Sequence, residues 1–219
     1  LPIKQNREEL KDLLFSLIAK NDLPYSSVRI TLTGGYSTDG ISIGIPNLII
    51  TQQAFRINTE TYLKGTSLVS YSHQRQFPEV KTIDYLMAIW LKNYIIENKA
   101  EDVLYQQNGI VTECPRSNIF IVSREGHLLT PARNILKGVI RKQVLSLGKS
   151  GLIMEEKDIS LEDVYQAKEV FITSTTKNIL PVIQVDGHLI SNGSPGEMTR
   201  TLQAELNQVI DSSTSTLQQ

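Results

Sequence analysis

The chain has 219 residues, of which 22 are basic and 23 acidic, with a formal net charge of −1 and a pI near 6.4. This length can bury one large core or two small ones, and the near-neutral charge offers no basic field for a nucleic-acid backbone, so we expect no DNA or RNA partner. The single cysteine, Cys114, excludes an intramolecular disulfide and favours a reducing compartment, so we expect a cytoplasmic protein.

The first third of the chain predicts a helix followed by an antiparallel sheet. Apolar residues at helical spacing predict a helix over 7–20, which Asn21 and Asp22 end. Three stretches rich in β-branched residues, 28–33, 48–55 and 67–72, predict strands. No apolar run approaches the roughly 20 residues that span a bilayer, so we expect no membrane segment.

The remaining two thirds alternate between helices and hairpins. A second helix is predicted over 83–97, with its buried side formed by Leu86, Ile89, Trp90 and Tyr94. Asn-Gly, Glu-Gly and Asp-Gly pairs at 108–109, 125–126 and 186–187 predict hairpin turns. Further helices are predicted over 138–147, 161–167 and 195–210, and further strands over 152–157 and 170–173. The pattern predicts a mixed α/β protein of two lobes, a small one at 1–73 and a larger one at 74–219.

Several common kinds of site have little support in the sequence. The histidines His73, His127 and His188 are scattered singly, so we expect no metal site. Cys114 has no neighbouring histidine and reads as a small buried hydrophobe rather than a nucleophile. The Thr-Gly-Gly stretch at 33–35 lacks the Lys-Ser/Thr of a P-loop, so a plain turn is favoured.

Four short segments occur in an informative order. They are Glu-Val-Lys-Thr-Ile-Asp-Tyr-Leu at 79–86, Val-Thr-Glu-Cys-Pro-Arg-Ser-Asn-Ile-Phe at 111–120, Leu-Lys-Gly-Val-Ile-Arg at 136–141 and Val-Phe-Ile-Thr-Ser-Thr-Thr-Lys at 170–177. Together they resemble the class-IV aminotransferases, which include branched-chain aminotransferase, D-amino-acid transaminase and aminodeoxychorismate lyase. The resemblance extends over about residues 7–206. It implies a fold-type IV enzyme with a small α/β domain, a larger pseudo-barrel α/β domain, pyridoxal 5′-phosphate as cofactor and a homodimeric assembly.

The resemblance implies roles for three residues around the cofactor ring. Lys81 matches the amine that binds the cofactor aldehyde covalently and moves a proton during the reaction. Glu113 matches the carboxylate that keeps the pyridine nitrogen protonated. Tyr85 matches the tyrosine that approaches the phenolic oxygen of the cofactor, with a core tyrosine as the alternative.

The cofactor phosphate is expected at a helix N-terminus, where free N–H groups and the helix dipole converge. Gly138, Val139 and Ile140 open the matching helix in this chain. The second phosphate anchor of the family falls on Thr175, or on Thr176 in the alternative register. Branched-chain and D-amino-acid enzymes usually carry threonine at the position of Ile140, so one hydroxyl contact is missing here.

Substrate recognition is implied at two places. Ser174, Thr175 and Thr176 lie where the family turns its backbone toward the substrate carboxylate. Arg29 matches the arginine with which branched-chain enzymes hold the side-chain carboxylate of glutamate, with an exposed strand residue as the alternative. The small-molecule partners would be an amino acid and a 2-oxo acid.

The choice within the family favours a transaminase of the branched-chain kind. Gly34 occupies the position where D-amino-acid enzymes have an arginine, which disfavours that kind. Ser27 occupies the position where branched-chain enzymes have a tyrosine, so the chain departs from the branched-chain pattern at this point. The apolar Ile140 is typical of lyases, so a lyase is the alternative, and a non-catalytic protein of the same fold is the second alternative. The family also has an N-terminal arginine that pairs with the cofactor phosphate. We expect this arginine in the full protein ahead of Leu1, and the alternative is a remnant of the family with impaired cofactor binding.

Overall fold

The computed structural model describes residues 1–55, 59–147 and 152–216. The chain divides into two compact units, Leu1–Ile57 and Asn58–Gln219. The domain boundary predicted after residue 73 lies later in the chain than this division. The segment between the two boundaries contains a helix at 59–64 and a strand at 66–72. The hydrogen-bonded neighbours of this strand belong to the second unit.

The first unit contains one helix and a two-stranded antiparallel sheet: α1 Arg7–Asn21, β1 Ser26–Thr33 and β2 Asn47–Ala54. A capping box begins α1, because Asn6 Oδ1 accepts from the amide of Glu9 while Glu9 Oε2 accepts from the amide of Asn6. Asp22 ends the helix in the left-handed conformation at φ 46°. The predicted helix and the first two predicted strands are confirmed.

The second unit is built on a mixed sheet that has eleven strands in the described residues, in the order β10-β5-β4-β3-β12-β11-β7-β8-β9, with β13 beside β12 and β6 beside β7. Its strands are β3 Thr66–Ser72, β4 Asp102–Gln107, β5 Ile110–Val111, β6 Glu113–Cys114, β7 Ser117–Val122, β8 Leu128–Thr130, β9 Met154–Glu156, β10 Ile159–Ser160, β11 Glu169–Ser174, β12 Asn178–Val185 and β13 His188–Leu189. Its helices are α2 Thr59–Lys64, α3 Leu86–Trp90, α4 Lys92–Glu97, α5 Val139–Ser146, α6 Leu161–Tyr165 and α7 Glu197–Thr216. The predicted mixed α/β class is confirmed.

The antiparallel sheet predicted for the first third holds for β1 and β2 but is wrong for β3. This strand runs parallel to both β4 and β12 in the large sheet. A parallel pair needs a crossover connection, and the segment with α3 and α4 between β3 and β4 provides it. The three predicted turns are confirmed: Asn108-Gly109 and Asp186-Gly187 adopt positive φ at both positions, and Gly126 has φ 90°.

The predicted helix over 83–97 is a pair of short helices, and its predicted buried side is confirmed for Tyr94, which packs against the core, but is wrong for the other three residues. Leu86, Ile89 and Trp90 are 72%, 70% and 76% exposed, whereas Leu91 and Ile95 are buried against Val69, Val103 and Tyr105. The chain leaves helical geometry at Leu91, where ψ is 4°, so the side that faces the sheet is set by Leu91 and Ile95, four residues apart. An apolar face of α3 therefore points outward.

The core lies on both faces of the central strands β7 and β11. Every residue of β7 is buried. Because side chains alternate across a strand, Ile119 and Ile172 join one apolar cluster, while Phe120 and Phe171 join the opposite cluster with α5 and α7, where their rings stack at 5.0 Å. Two buried strands thus form a rigid support for the residues at their ends. None of the described helices combines the length and apolar composition needed to cross a membrane.

Candidate active site

A cavity of about 200 Å³ opens in the second unit at the ends of β6, β7 and β11. Four segments form its wall: the loop after β3, the β6–β7 hairpin, the loop before α5 and the turn after β11. It brings together most of the residues singled out from the sequence, namely Lys81, Tyr85, Glu113, Gly138, Val139, Ile140, Ser174 and Thr175. Residues more than 90 positions apart in sequence therefore share one site.

Two of the predicted site residues are not part of this wall. Thr176 lies outside it, with its hydroxyl 3.4 Å from Ser174 Oγ, so Thr175 is the threonine of the turn that faces the cavity. Arg29 belongs to the first unit, where it is exposed on β1 opposite Thr51. Its substrate-binding role stays a prediction.

Lys81 lies in the extended loop before α3, with an exposed side chain. Among the described residues, no carboxylate lies within ion-pair distance of its ammonium group. That group is near enough to Glu113 for its charge to lower the pKa of the carboxyl. The arrangement leaves an amine available for chemistry on the wall of a cavity.

Glu113 is the buried carboxylate of the site and is only 4% exposed. Its Oε1 accepts hydrogen bonds from Arg75 Nε at 2.7 Å and Nη2 at 2.5 Å, and its Oε2 accepts from the amide of Leu136 at 2.9 Å. Burial raises the pKa of Glu113, while the Leu136 amide, Arg75 and Lys81 act in the opposite direction. A cation placed against this carboxylate would oppose the effect of burial and lower the pKa of Glu113.

Arg75 is a site residue that the sequence interpretation missed. Besides Glu113, its guanidinium donates to the carbonyls of Pro78, at 2.5 Å, and Val80, at 3.3 Å. It therefore joins the loop that carries Lys81 to the carboxylate at the end of the sheet. The only signal in the sequence was its position six residues before Lys81, which by itself does not distinguish it from a surface arginine.

Asn118 was also missed as a site residue, and it positions the start of α5. Its Nδ2 donates to the carbonyl of Leu136 at 2.7 Å, and its Oδ1 accepts from the amide of Gly138 at 3.2 Å. Glycine is needed at 138 because a Cβ there would lie 2.5 Å from Asn118 Oδ1. The amides of Val139 and Ile140 lie in the first helical turn, where N–H groups have no intrahelical acceptor.

The turn after β11 is anchored from both sides. Ser174 Oγ accepts from the amide of Lys177 at 3.1 Å, which closes the turn that presents Thr175 to the cavity. Lys177 Nζ forms an ion pair with Asp102 at 2.8 Å, and its carbonyl accepts from the hydroxyl of Tyr62 at 2.7 Å. These contacts hold the turn in place, so it does not have to rearrange to bind an anion.

Two hydroxyl groups of the wall have no hydrogen-bond partner in the described part of the chain: Ser117 Oγ and Thr173 Oγ1. Both side chains are buried, at 5% and 2% exposure. Buried polar atoms almost always have partners, so these two atoms indicate that a polar ligand completes the site. Together with the free amine and the open helix N-terminus, they fit an aldehyde cofactor that carries a phosphate.

Other side chains that could take part in chemistry make structural contacts instead. Burial raises the pKa of the Cys114 thiol well above its ordinary value, which disfavours the thiolate that a nucleophile needs. His73 packs edge-on against Tyr105, and burial lowers its pKa. The guanidinium of Arg116 lies 5.5 Å above the ring of Tyr85. Within the described residues, no group of three or more His, Cys, Asp or Glu could hold a metal ion.

Fold and site together define a class of protein. At the ends of its central strands, a large mixed sheet carries a cavity that a lysine, a buried carboxylate and a helix N-terminus all face, as in enzymes that bind a phosphorylated aldehyde cofactor through lysine.

Comparison with known proteins identifies the family within this class. The sequence profile described as amino-transferase class IV matches residues 1–185. D-alanine aminotransferase of Listeria monocytogenes is 30% identical over 213 residues, 92% of this chain and 73% of that protein. A putative branched-chain-amino-acid aminotransferase of Methanocaldococcus jannaschii is 30% identical over 223 residues, 95% of this chain and 76% of that protein. The chain belongs to the class IV aminotransferases.

Solved structures agree with this assignment. The branched-chain amino acid aminotransferase of Escherichia coli superposes with a TM-score of 0.80 at 25% identity, over 93% of this chain and 70% of that one. A putative 4-amino-4-deoxychorismate lyase of Legionella pneumophila shares the fold, with a TM-score of 0.85 at 22% identity over 94% of this chain and 78% of that one. The family uses pyridoxal 5′-phosphate and transfers amino groups, so the protein is a pyridoxal-phosphate-dependent transaminase.

Proposed function

We propose that the cavity in the second unit is the cofactor site and that the protein transfers amino groups from branched-chain L-amino acids to a 2-oxo acid. The observation that carries the proposal is the convergence of Lys81, Glu113 and the N-terminus of α5 on one cavity. When bound, the cofactor supplies an electron sink for the carbanion at the substrate α-carbon. The chain supplies binding, orientation and proton transfer.

Each residue has a defined task in this proposal. Lys81 would hold the cofactor through its aldehyde and would move the proton at the substrate α-carbon. Glu113 holds the proton on the pyridine nitrogen, and Arg75 keeps the carboxylate in place. The hydroxyl of Tyr85 orients the phenolic oxygen of the cofactor. The amides of Val139 and Ile140 and the hydroxyl of Thr175 bind the phosphate, with Gly138 allowing Asn118 to hold the helix start and Thr176 as the alternative hydroxyl.

The proposed substrate preference rests on the family resemblance of single residues. Arg29 is exposed and has no ion-pair partner among the described residues, so its guanidinium is available for the side-chain carboxylate of glutamate or 2-oxoglutarate. Gly34 provides no guanidinium at the position where D-amino-acid enzymes have one. Backbone groups at 174–176 would bind the α-carboxylate. The lyase and the non-catalytic protein are the two alternatives, and the fold alone is compatible with both.

The proposed donor is tested by recording the visible absorption of the purified protein with pyridoxal phosphate before and after adding L-leucine, L-glutamate or D-alanine. We expect a visible band from the lysine-bound cofactor, which L-leucine and L-glutamate remove and D-alanine leaves unchanged. Loss of the band with D-alanine alone would assign the D-amino-acid reaction. Release of pyruvate from aminodeoxychorismate would assign the lyase, and a protein without any band would be non-catalytic.

A homodimer is proposed from the family resemblance and from one exposed surface. Residues 77–90 carry six large apolar side chains that are exposed in the single chain: Phe77, Val80, Ile83, Leu86, Ile89 and Trp90. So many exposed large apolar side chains in one segment are typical of an interaction surface, and we propose that a second copy covers this segment. We also propose that the enzyme is cytoplasmic. Analytical ultracentrifugation of the wild-type protein should give twice the mass of one chain. The Trp90→Asp variant should sediment with the mass of a single chain. A wild-type protein that sediments as a single chain at micromolar concentration would contradict the proposal.

A further inference from the structure

The floor of the cavity contains a threonine, Thr173, whose hydroxyl is not used by the fold. Thr173 lies on β11, is 2% exposed, and its Oγ1 has no hydrogen-bond partner in the described part of the chain. Cross-strand pairing joins Thr173 to Asn118 on β7, which puts both side chains on the same face of the sheet. Since Asn118 holds the amide of Gly138, Thr173 lies beside the N-terminus of α5.

A buried hydroxyl without a partner is unfavourable, because it loses its hydrogen bonds to water and gains none in return. Thr130 shows how the same chain treats a buried threonine that serves only structure. It is 0% exposed and donates to the carbonyl of Ile119 at 2.8 Å. The hydroxyl of Thr173 is therefore expected to donate its hydrogen bond to an acceptor group of a ligand.

The anion expected at this end of the cavity is such an acceptor. The first turn of α5 offers N–H groups and the positive end of the helix dipole. Ile140 contributes only its amide there, since its side chain packs against the apolar cluster that contains Phe120 and Phe171. Thr173 is a hydroxyl that can donate to a phosphate oxygen from the floor.

We propose that Thr173 is a phosphate-binding residue of this enzyme, donating a hydrogen bond from Oγ1 to the cofactor phosphate beside the N-terminus of α5. The inference rests on the cofactor site proposed above. It adds a contact from the sheet to those from the helix and from Thr175.

The substitution Thr173→Val tests this, because valine has nearly the same shape and lacks the hydroxyl. We expect the dissociation constant for pyridoxal phosphate to rise about tenfold, equivalent to 1.4 kcal/mol. Pyridoxal keeps the aldehyde and lacks the phosphate, so its dissociation constant should change by less than about twofold. The melting temperature of the cofactor-free protein should stay the same or rise, since an unpaired buried hydroxyl has been removed.

Thr130→Val is the matched control, with the same chemical change at an equally buried position outside the cavity. It should lower the melting temperature of the cofactor-free protein and leave both dissociation constants unchanged. The same pattern for Thr173→Val, a lower melting temperature with unchanged affinities, would show that its hydroxyl serves the fold and would overturn the inference.

Two further results would also overturn the inference, and they differ in whether they also contradict the proposed function. If Thr173→Val weakens pyridoxal and pyridoxal phosphate equally, the hydroxyl contacts the ring end of the cofactor instead of the phosphate, and the proposed function is untouched. If the wild-type protein binds neither compound, the proposed cofactor site itself is wrong.

Discussion

Replacing Lys81 by alanine should reduce kcat for amino transfer by about 10²- to 10⁴-fold, which is the range that one positioned acid–base group contributes. The same substitution should remove the visible absorption of the bound cofactor, because that absorption is assigned to the cofactor bound through the Lys81 amine. The measurements are steady-state kinetics with L-leucine and 2-oxoglutarate and an absorption spectrum at saturating cofactor. Added methylamine should restore part of the rate by supplying a free amine.

Lys92→Ala provides the control for this experiment. Lys92 is an exposed lysine on α4, outside the cavity wall. Its loss should leave both the rate and the spectrum as in the wild-type protein. A Lys81→Ala protein that keeps the visible band would show that another amine binds the cofactor, and the role assigned to Lys81 would then be wrong.

Replacing Arg75 by methionine should lower the free energy of unfolding at neutral pH by about 3 kcal/mol. This value is the lower end of the range that is found when one partner of a buried ion pair is removed. The reason is Glu113, which would stay buried and ionised with only the Leu136 amide as a partner. Urea denaturation of the cofactor-free protein measures the change. Arg133→Met is the comparison, because Arg133 pairs with Asp158 at the surface, where ion pairs contribute little.

The loss in Arg75→Met should shrink as the pH falls. Burial already raises the pKa of Glu113 above its ordinary value of 4.5, and removal of the guanidinium raises the pKa further. A carboxyl with a higher pKa in the folded than in the unfolded protein holds its proton more tightly when folded. Its contribution to stability is therefore full below the ordinary pKa and is lost as pH rises through the folded pKa.

A second substitution separates the charge of Glu113 from the packing of Arg75. The double variant Arg75→Met/Glu113→Gln has no buried charge at this point and keeps an oxygen for the Leu136 amide, so it should recover most of the stability at neutral pH. If the loss in Arg75→Met is independent of pH and persists in the double variant, it comes from lost packing and hydrogen bonds to Pro78 and Val80.

The position of Arg75 also bears on activity. Arg75 connects the loop of Lys81 to Glu113, so its loss should disturb both the amine and the ring-nitrogen partner, although Arg75 itself would not touch the cofactor nitrogen. The Arg75→Met protein is therefore expected to be weaker in cofactor binding as well as less stable. This coupling distinguishes a positioning residue from a simple surface ion pair.

Much of this protein was determined by local sequence. The capping box around Asn6 places the start of α1, and the Asn108-Gly109 and Asp186-Gly187 pairs place their turns, because these features depend on residues a few positions apart. The candidate site was also found from short segments, since Lys81, Glu113 and the opening of α5 lie within such segments in a fixed order. These segments together carried the family resemblance.

The tertiary structure decided what depends on partners far away in the chain. It assigned β3 to the large sheet, turned Leu86, Ile89 and Trp90 outward, and brought Arg75 to Glu113 across 38 positions. It also left Thr173 without a partner. Strand pairing, burial and hydrogen-bond satisfaction are set by long-range packing, which local periodicity does not encode. The sequence by itself determined the elements and the chemical groups, and the fold decided which of these groups meet.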